Sequence, residues 1–291
     1  MLPNFLVVGA QKAGTTSLHH YLFNHPDIYL PGQKETKFFV IDERYEKGLQ
    51  HYEQEYFGGR NSEAAVGEVD PDYMYFHCAL ERMQKDLDLS SIKLIFVFRN
   101  PVERAFSHYL MTYRRGLENL SFEDALENES ERIGSDFLSD MHFSYQSRGY
   151  YYRQVMRFLQ YMDREQMLFL LTEDLKENPV KCTQSICRFL NVTTSYIPAN
   201  ANKQFHKATV PRSNSLLRRI RQKGSLEKKI VRLLVPWESG RKKLREMALS
   251  WNQTPRHDMA ISDATRKWLS SCYEQENKLL AELIGRDLSH W

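Results

Sequence analysis

Residues 7–18 read VVGAQKAGTTSL: an apolar segment, a loop bounded by two glycines, and hydroxyl residues suited to begin a helix. A buried strand that enters a helix through such a loop directs several backbone N–H groups and the positive end of the helix dipole at one point. That arrangement suits a phosphate group. The spacing approaches the P-loop pattern GxxxxGK followed by Ser or Thr. Here Thr15 stands where that lysine belongs, and the lysine lies inside the loop as Lys12.

Further strands and helices are predicted from the apolar pattern of the chain. Continuous apolar content indicates buried parallel strands at Phe5–Val8, Leu94–Phe98 and Met167–Leu171, with a weaker fourth at Ala65–Val69. Helical patterns cover Thr15–Asn24, Val102–Arg115, Tyr150–Met162, Pro179–Leu190 and Asp263–Ile284. Strand–helix alternation predicts an α/β fold of three layers, P-loop-like, in which helices flank a central parallel sheet and the C-terminal part is helical.

Composition narrows the class of protein. The chain has 291 residues, of which 42% are hydrophobic and 26% charged, as in ordinary soluble globular proteins. No apolar run reaches the ~20 residues of a membrane span, and the N-terminus has no leader-like pattern, so neither a span nor a secretory segment is expected. Four cysteines without a CxxC pair predict no zinc site and no disulfide framework. A reducing cytoplasm is therefore the expected location.

Charge is unevenly distributed, although the net charge is only +3. Residues 200–245 hold 14 Lys or Arg but only Glu227 and Glu238 as acids. Such a block could attract a phosphate or an acidic acceptor, or it could simply form solvated helix faces. No nucleic-acid-binding signature accompanies it, so no nucleic-acid partner is expected. We predict a single domain over 1–291, with a nucleotide-binding core at 1–191 and a basic loop and helical part at 192–291.

A second motif lies at residues 93–109, which read KLIFVFRNPVERAFSHY. Arg99 leaves the carboxyl end of a predicted strand, which is where open α/β sheets bind ligands. Ser107 follows eight residues later, roughly two helical turns on, and could turn towards the same phosphate. The strand ends in arginine, whereas the corresponding strand of P-loop kinases ends in an aspartate that holds Mg²⁺. This difference argues against a kinase.

Together the two motifs resemble those of sulfotransferases that use 3′-phosphoadenosine 5′-phosphosulfate (PAPS). The resemblance implies that the first loop holds the 5′-phosphate and that Lys12 touches the oxygen between phosphorus and sulfur. It implies that Arg99 and Ser107 hold the 3′-phosphate. No metal is implied. The donor-binding residues of the first loop are then Gln11, Lys12, Ala13, Gly14, Thr15, Thr16 and Ser17.

The acceptor side is predicted from two further resemblances to glycan and bacterial-type sulfotransferases. The segment KETKFF at 34–39 resembles an E-x-x-F-F element, which implies that Glu35 is the general base; Lys37 is a candidate acceptor contact. The segment GEVDPDY at 67–73 resembles G-E-x-x-P-x-Y, but Val69 stands where heparan-type members have lysine, so a heparan-like acceptor is not expected. Alternative bases or acceptor contacts are Glu68, Asp70 and the histidines His108, His142 and His206.

Two later segments complete the resemblance. Residues 147–151 resemble an R-G-x-Y element, so Arg148 or Tyr151 could approach the donor. The basic stretch that ends in Pro-Arg-Ser resembles a loop that closes over the nucleotide, which implies donor contacts from Lys207, Arg212 and Ser213.

These observations predict a PAPS-dependent sulfotransferase. Its donor is PAPS, its product is adenosine 3′,5′-bisphosphate, and its acceptor is a hydroxyl or amine of a small molecule, lipid or glycan. Two alternatives stay open from the sequence: a P-loop-type kinase, and a nucleotide-binding scaffold of the same fold without turnover.

Overall fold

A computed structural model describes residues 1–199 and 260–291 and, between them, residues 209–211, 240, 247 and 253–255. The chain divides into two units, and the division falls inside two helices. The first unit comprises Met1–Ala105, Gln146–Phe205 and Lys267–Trp291, and the second comprises Phe106–Tyr145 and His206–Arg266.

A five-stranded parallel sheet forms the centre of the first unit. Its strands are β1 (Phe5–Gly9), β2 (Ile28–Tyr29), β3 (Ala65–Val69), β4 (Lys93–Phe98) and β5 (Met167–Leu171). Their order in the sheet is β2-β3-β1-β4-β5. All residues of β1 and β3 are buried, as the continuous apolar runs predict. The four predicted strands are confirmed, and β2, a two-residue strand at the edge, lies outside the prediction.

The register of the sheet determines which loops lie together. β1 pairs in parallel with β3, Val7 opposite Val69, and with β4 on its other side, Phe5 opposite Lys93. The carboxyl ends of β3, β1 and β4 therefore lie side by side at one edge of the sheet. The loops that follow these three strands carry the two predicted donor motifs and the acceptor segment at 67–73. The acceptor segment at 34–39 follows β2, which pairs in parallel with β3.

Twelve α-helices lie within the described ranges. They are α1 (Thr15–Leu22), α2 (Asp42–Tyr45), α3 (Gly48–Phe57), α4 (His77–Asp86), α5 (Pro101–Arg114), α6 (Phe122–Glu127), α7 (Glu129–Arg132), α8 (Phe137–Phe143), α9 (Tyr151–Phe158), α10 (Thr172–Glu177), α11 (Pro179–Leu190) and α12 (Asp263–Ile284). Helices flank the sheet and the C-terminal part is helical, so the predicted three-layer, P-loop-like α/β fold is confirmed.

The bounds of two predicted helices are confirmed residue for residue. The Asn178 side chain accepts a hydrogen bond from Lys181 N at 2.9 Å and so caps α11, and Pro179 occupies its first turn. Gly285, with φ of 65°, follows α12 in the left-handed conformation that commonly ends a helix.

Other predicted helices end earlier or begin sooner than expected. α9 ends at Phe158 rather than at residue 162, because the carbonyl of Phe158 accepts from both Tyr161 N and Met162 N and closes a tight turn before β5. α1 ends at Leu22, three residues before His25, which precedes a proline and therefore disfavours helix. α5 begins at Pro101, since proline fits the first helical position.

The second unit contains the rest of α5, the helices α6–α8 and an antiparallel pair formed by β6 (Thr209–Pro211) and β7 (Gln253–Pro255). Glu118 is buried in this unit and accepts hydrogen bonds from Tyr145 Oη at 2.7 Å and Arg132 Nη1 at 2.8 Å. Across the ranges that the structure covers, no helix combines the length and apolar character needed to cross a membrane.

The close packing around Gly67 of β3 predicts that an alanine at this position destabilises the protein. A Cβ at this position would overlap the carbonyl oxygen and ring of Phe5 on the paired strand β1. Because a backbone atom has little freedom to move away, Gly67→Ala should lower the free energy of unfolding by about 1–3 kcal/mol. Urea unfolding of both proteins measures the difference.

Gly32→Ala is the matched control, since a Cβ there meets nothing within 4 Å. Its unfolding midpoint should stay close to that of the unmodified protein. Equal midpoints for the two variants would contradict the close packing of β1 against β3.

Candidate functional site

The loop between β1 and α1 has the form of an anion-binding loop. Gly14, the N-cap residue of α1, has φ of 99° and no side chain to cap the helix, so the first-turn N–H groups point at the space before the helix. Lys12 takes the left-handed conformation as well, with φ of 71°, which is uncommon for a residue with a Cβ. The loop is tied to the sheet because Thr172 Oγ1 lies 2.7 Å from Ala13 O and 2.9 Å from Phe98 O.

Arg99 connects the second motif to this loop. Its Nη1 donates a hydrogen bond to Lys12 O at 3.2 Å, and its Nη2 lies 3.7 Å from Glu103 Oε2. Tyr151 is buried and its hydroxyl donates to Arg99 O at 2.9 Å, which supports the backbone at the end of β4. Two motifs that are 87 residues apart in the chain are therefore in direct contact.

The predicted acceptor loop lies at the end of β3. Glu35 N donates to Val69 O at 3.2 Å, and both Glu35 and Lys37 have positive φ, 65° and 56°. The Glu35 side chain is 38% exposed, which leaves its carboxylate accessible to a substrate. Lys34 Nζ contacts Glu35 Oε1, and Lys37 Nζ lies 3.3 Å from Oε2. Burial would raise the pKa of Glu35, but the ammonium groups of Lys37 and Lys34 hold it below its usual range.

A buried ion network lies beside this loop, and we name it the Asp72 network. It comprises Lys37, Asp70, Asp72, Arg148 and Gln11. Lys37 Nζ contacts Asp72 Oδ2 and lies 2.9 Å from Asp70 Oδ1; Arg148 Nη1 contacts Asp72 Oδ1. Gln11 Nε2 of the donor loop donates to Asp72 Oδ1 at 3.3 Å. Despite burial, Lys37 and Arg148 keep the pKa of Asp72 well below its usual range.

Glu68 lies inside the core rather than on the accessible surface of the site. It is 1% exposed, and its Oε1 accepts hydrogen bonds from Tyr52 Oη at 2.7 Å and Tyr73 Oη at 2.5 Å. Burial, and next the charge of Asp70, raise the pKa of Glu68 to about 7. Phe38 stacks on Tyr52 with ring centroids 4.2 Å apart, so this part of the acceptor segment packs in the core.

The structure brings several predicted residues together and separates others. Lys12 and Arg99 are in contact, and Glu35, Lys37 and Asp70 form one cluster. His108 is buried in the second unit, where its Nε2 lies 3.2 Å from Met141 O. Ser107 belongs to the part of α5 in that unit, so its contact with a donor stays a prediction. The residues Lys207, Arg212, Ser213 and His206 lie outside the described residues.

Asp72 is the residue of the site that the sequence did not reveal as important. The sequence showed it only as an unassigned position of the segment at 67–73. A second carboxylate two residues after Asp70, just beyond a buried strand, was the available signal. Its partners Lys37 and Arg148 are 35 and 76 residues away in the chain, so only the fold shows the network.

Comparisons of the sequence and of the fold with known proteins identify the family of this chain. The sequence model of one protein family, described as the sulfotransferase domain, matches residues 2–233 of this chain. A solved structure of a sulfotransferase from Alicyclobacillus acidocaldarius is 29% identical, covers 100% of this chain and 99% of its own, and superimposes with a TM-score of 0.72. The chain therefore belongs to the sulfotransferase family.

Curated relatives give the same family. Human bifunctional heparan sulfate N-deacetylase/N-sulfotransferase 2 is 28% identical over 199 residues, which is 66% of this chain and 22% of that protein. Mouse heparan sulfate glucosamine 3-O-sulfotransferase 3A1 is 32% identical over 212 residues, 70% of this chain and 50% of that protein. The chain thus spans about a fifth of the length of the human relative and half of the length of the mouse relative.

The position of Glu68 predicts a dependence of stability on pH. Its pKa is about 7 in the folded protein and about 4.3 when unfolded. The folded state therefore favours the protonated carboxyl, and this contribution is complete below about pH 4.3 and is lost as the pH rises through 7. Glu68→Gln mimics the protonated form at every pH. It should raise the unfolding midpoint in denaturant at pH 8 and change it little at pH 4, where the contribution is nearly complete. The same change in midpoint at both pH values would show that Glu68 does not titrate in this range.

Proposed function

We propose that this chain transfers the sulfuryl group of PAPS to a hydroxyl or amine of a small molecule, lipid or glycan and releases adenosine 3′,5′-bisphosphate. One observation carries the proposal: three candidate residues lie at one edge of the sheet. Lys12 follows β1, Arg99 follows β4, and Glu35 donates its N–H to Val69 O at the end of β3, which is the neighbour of β1. Membership of the sulfotransferase family supports it, and favours it over the P-loop kinase.

The donor side suits a nucleotide with phosphates at both its 5′ and 3′ positions. The N–H groups at the start of α1 and the Lys12 ammonium would hold the 5′-phosphosulfate, since an amide-lined helix start and a cation both favour an anion. Arg99 would hold the 3′-phosphate, because a guanidinium forms paired, charge-assisted hydrogen bonds with phosphate oxygens. Ser107 is its proposed partner.

The donor supplies a sulfuryl group that is transferred in line between two oxygens or from oxygen to nitrogen, by analogy with phosphoryl transfer. As the new bond to sulfur forms, the bond from sulfur to the bridging oxygen breaks, and its electron pair stays on the departing phosphate. Negative charge therefore grows on that phosphate oxygen. The Lys12 ammonium would stabilise this charge more in the transition state than in the ground state, which accelerates the chemical step.

Glu35 is the proposed general base. Its carboxylate is accessible, and the ammonium groups of Lys37 and Lys34 keep it ionised near neutral pH. The proton of the acceptor hydroxyl or amine becomes acidic as the bond to sulfur forms, so a carboxylate of this kind can accept it then. Glu68 and Asp70 are weaker candidates because each is 1% exposed or less.

The acceptor class is proposed in broad terms. Relatives of this chain carry names that include heparan sulfate and its glucosamine, which supports a sugar-bearing acceptor. Val69 occupies the position where the heparan-type motif has a lysine, and this favours an acceptor less anionic than heparan.

The test of the proposal is sulfuryl transfer itself. The purified chain is incubated with PAPS without added metal and with a panel of alcohols, phenols, amines and glycans. Product masses should rise by one sulfuryl group, with one adenosine 3′,5′-bisphosphate released per transfer. Binding of the bisphosphate without transfer to any acceptor or to water would favour the scaffold alternative.

The role of Arg99 gives a prediction for donor binding. Arg99→Ala should weaken adenosine 3′,5′-bisphosphate by about 1.5–3 kcal/mol, since one charge-assisted contact is lost, and should affect adenosine 5′-phosphate far less. Isothermal titration calorimetry with both nucleotides measures the difference. Arg153→Ala is the control, because Arg153 is largely exposed and pairs with Glu276 of α12. Equal losses for both nucleotides would overturn the 3′-phosphate assignment.

The role of Glu35 gives a prediction for turnover. Glu35→Gln keeps the shape of the side chain but removes the proton acceptor, so turnover should fall by about 10²–10⁴-fold while bisphosphate binding barely changes. Steady-state rates with the fastest acceptor of the panel provide the measurement. Glu43→Gln, at an exposed position of α2, should keep full turnover. If Glu35→Gln retained more than about a tenth of the turnover with chemistry rate-limiting, Glu35 would not be the base.

A further inference from the structure

The Asp72 network places more charge in the interior than donor binding or proton transfer requires. Asp70, Asp72 and Arg148 are each no more than 2% exposed, and Lys37 is 9% exposed. Buried charges lower stability unless they are paired and hydrogen-bonded. The proposed mechanism assigns none of these four residues a chemical step, so their arrangement calls for another role.

Lys37 is fixed at both its backbone and its side chain. Its N–H donates to Asp70 Oδ2 at 2.7 Å, and its Nζ lies 2.9 Å from Asp70 Oδ1. The same Nζ contacts Asp72 Oδ2 and lies 3.3 Å from Glu35 Oε2. An ammonium has three N–H donors, and here three carboxylates surround it. Two of these carboxylates are buried and anchored, whereas that of Glu35 is the accessible one.

The anchors themselves are held by the sheet and by the donor loop. Asp70 N donates to Val7 O of β1 at 3.0 Å, and Asp72 N donates to Asp70 Oδ1 at 3.2 Å. Asp72 also accepts from Arg148 and from Gln11 of the donor loop. The Lys37 ammonium is therefore fixed relative to the same strand end that bears Lys12.

We propose that Lys37 is a positioning residue for Glu35: held by Asp70 and Asp72, its ammonium keeps the Glu35 carboxylate ionised and in one orientation. The proposal rests on the proposed role of Glu35 as the base. It adds a residue that acts through the base, since three carboxylates already surround its ammonium.

Several charged groups face Glu35, and their effects have different signs. Lys34 and Lys37, from its own loop, lower its pKa; Asp72, beyond β3, raises it. Asp70 shares the Lys37 ammonium with Glu35; burial raises the pKa of Asp70, Lys37 lowers it, and the charges of Asp72 and Glu35 raise it further. His19 of α1 has a pKa of about 4, chiefly because it is buried, so it carries no charge near neutral pH. Burial would lower the pKa of Lys37, but Asp70, Asp72 and Glu35 raise it, so its ammonium stays charged.

The test is a direct titration of Glu35 that needs no turnover. Protein labelled with ¹³C at the glutamate carboxyl carbons is titrated by NMR, and the Glu35 signal is assigned by its loss in Glu35→Gln. In Lys37→Met the pKa of Glu35 should rise by about one to three pH units, because a cation within about 4 Å is removed. In Lys37→Arg, which keeps the charge, the rise should be smaller. The acidic limb of the pH–rate profile should move up by the same amount in each variant.

Two further variants serve as controls. One tests whether misfolding explains the result, and the other tests for a general effect of losing a charge. Lys37→Met leaves two buried aspartates with one arginine, so we pair it with Asp70→Asn in a double variant whose buried charge is balanced. The pKa of Glu35 should still rise there. Arg132→Met is the structural control: it breaks an ion pair with the buried Glu118 of the second unit and should leave the Glu35 titration unchanged.

The outcomes separate this proposal from the proposed function. An unchanged pKa of Glu35 in both Lys37→Met and the double variant, with Glu35→Gln inactive, would overturn the positioning role alone. A raised pKa with Glu35→Gln fully active would support the contact of Lys37 with Glu35 but overturn Glu35 as the base.

Discussion

The Asp72 carboxylate is the point at which three segments of the first unit meet. It accepts a hydrogen bond from Gln11 of the donor loop, and it contacts Lys37 of the acceptor loop and Arg148 before α9. A carboxylate buried to this degree stays ionised only if cations compensate it. Arg148 and Lys37 do so, which fixes the two loops relative to the end of β3. The geometry of the proposed reaction therefore depends on a group that takes no part in it.

Unusual backbone conformations also occur mainly in the loops of the site. Four non-glycine residues of the described ranges have positive φ: Lys12, Glu35, Lys37 and Asn191. Asn191 ends α11, where asparagine is common. The other three are predicted site residues, and each such conformation costs about 1–3 kcal/mol. The contacts of Lys37 with Asp70 and the bond from Glu35 N to Val69 O offset that cost locally. Strained residues thus cluster where the sequence predicts chemistry.

The sequence predicted what is local and missed what depends on distant pairing. Continuous apolar runs identified four of the five strands of the central sheet, and the two-residue β2 is too short to give a pattern. The donor loop was visible because its chemistry lies in consecutive residues. The sequence indicates Lys37 only as a candidate acceptor contact, because its partners Asp70 and Asp72 are more than 30 residues away. Likewise, the spacing of Glu68 resembled a site residue, whereas the tyrosines that enclose it come from α3 and from the turn after β3.

The turn that carries Arg148 is covered by α12, a helix that is synthesised much later during translation. Tyr273 of α12 lies directly over Gly149, where a Cβ would overlap its ring, and its hydroxyl donates to Gln146 O at 2.8 Å. The ribosome adds about 5–20 residues per second, so Tyr273 follows Gly149 by roughly 6–25 seconds. During that interval the nascent first unit has Asp72 and Arg148 but not the ring that covers their turn. Much of the second unit is synthesised in the same interval. After β5 is made, all five strands of the central sheet are present, but the turn at Gly149 stays uncovered until α12 is made.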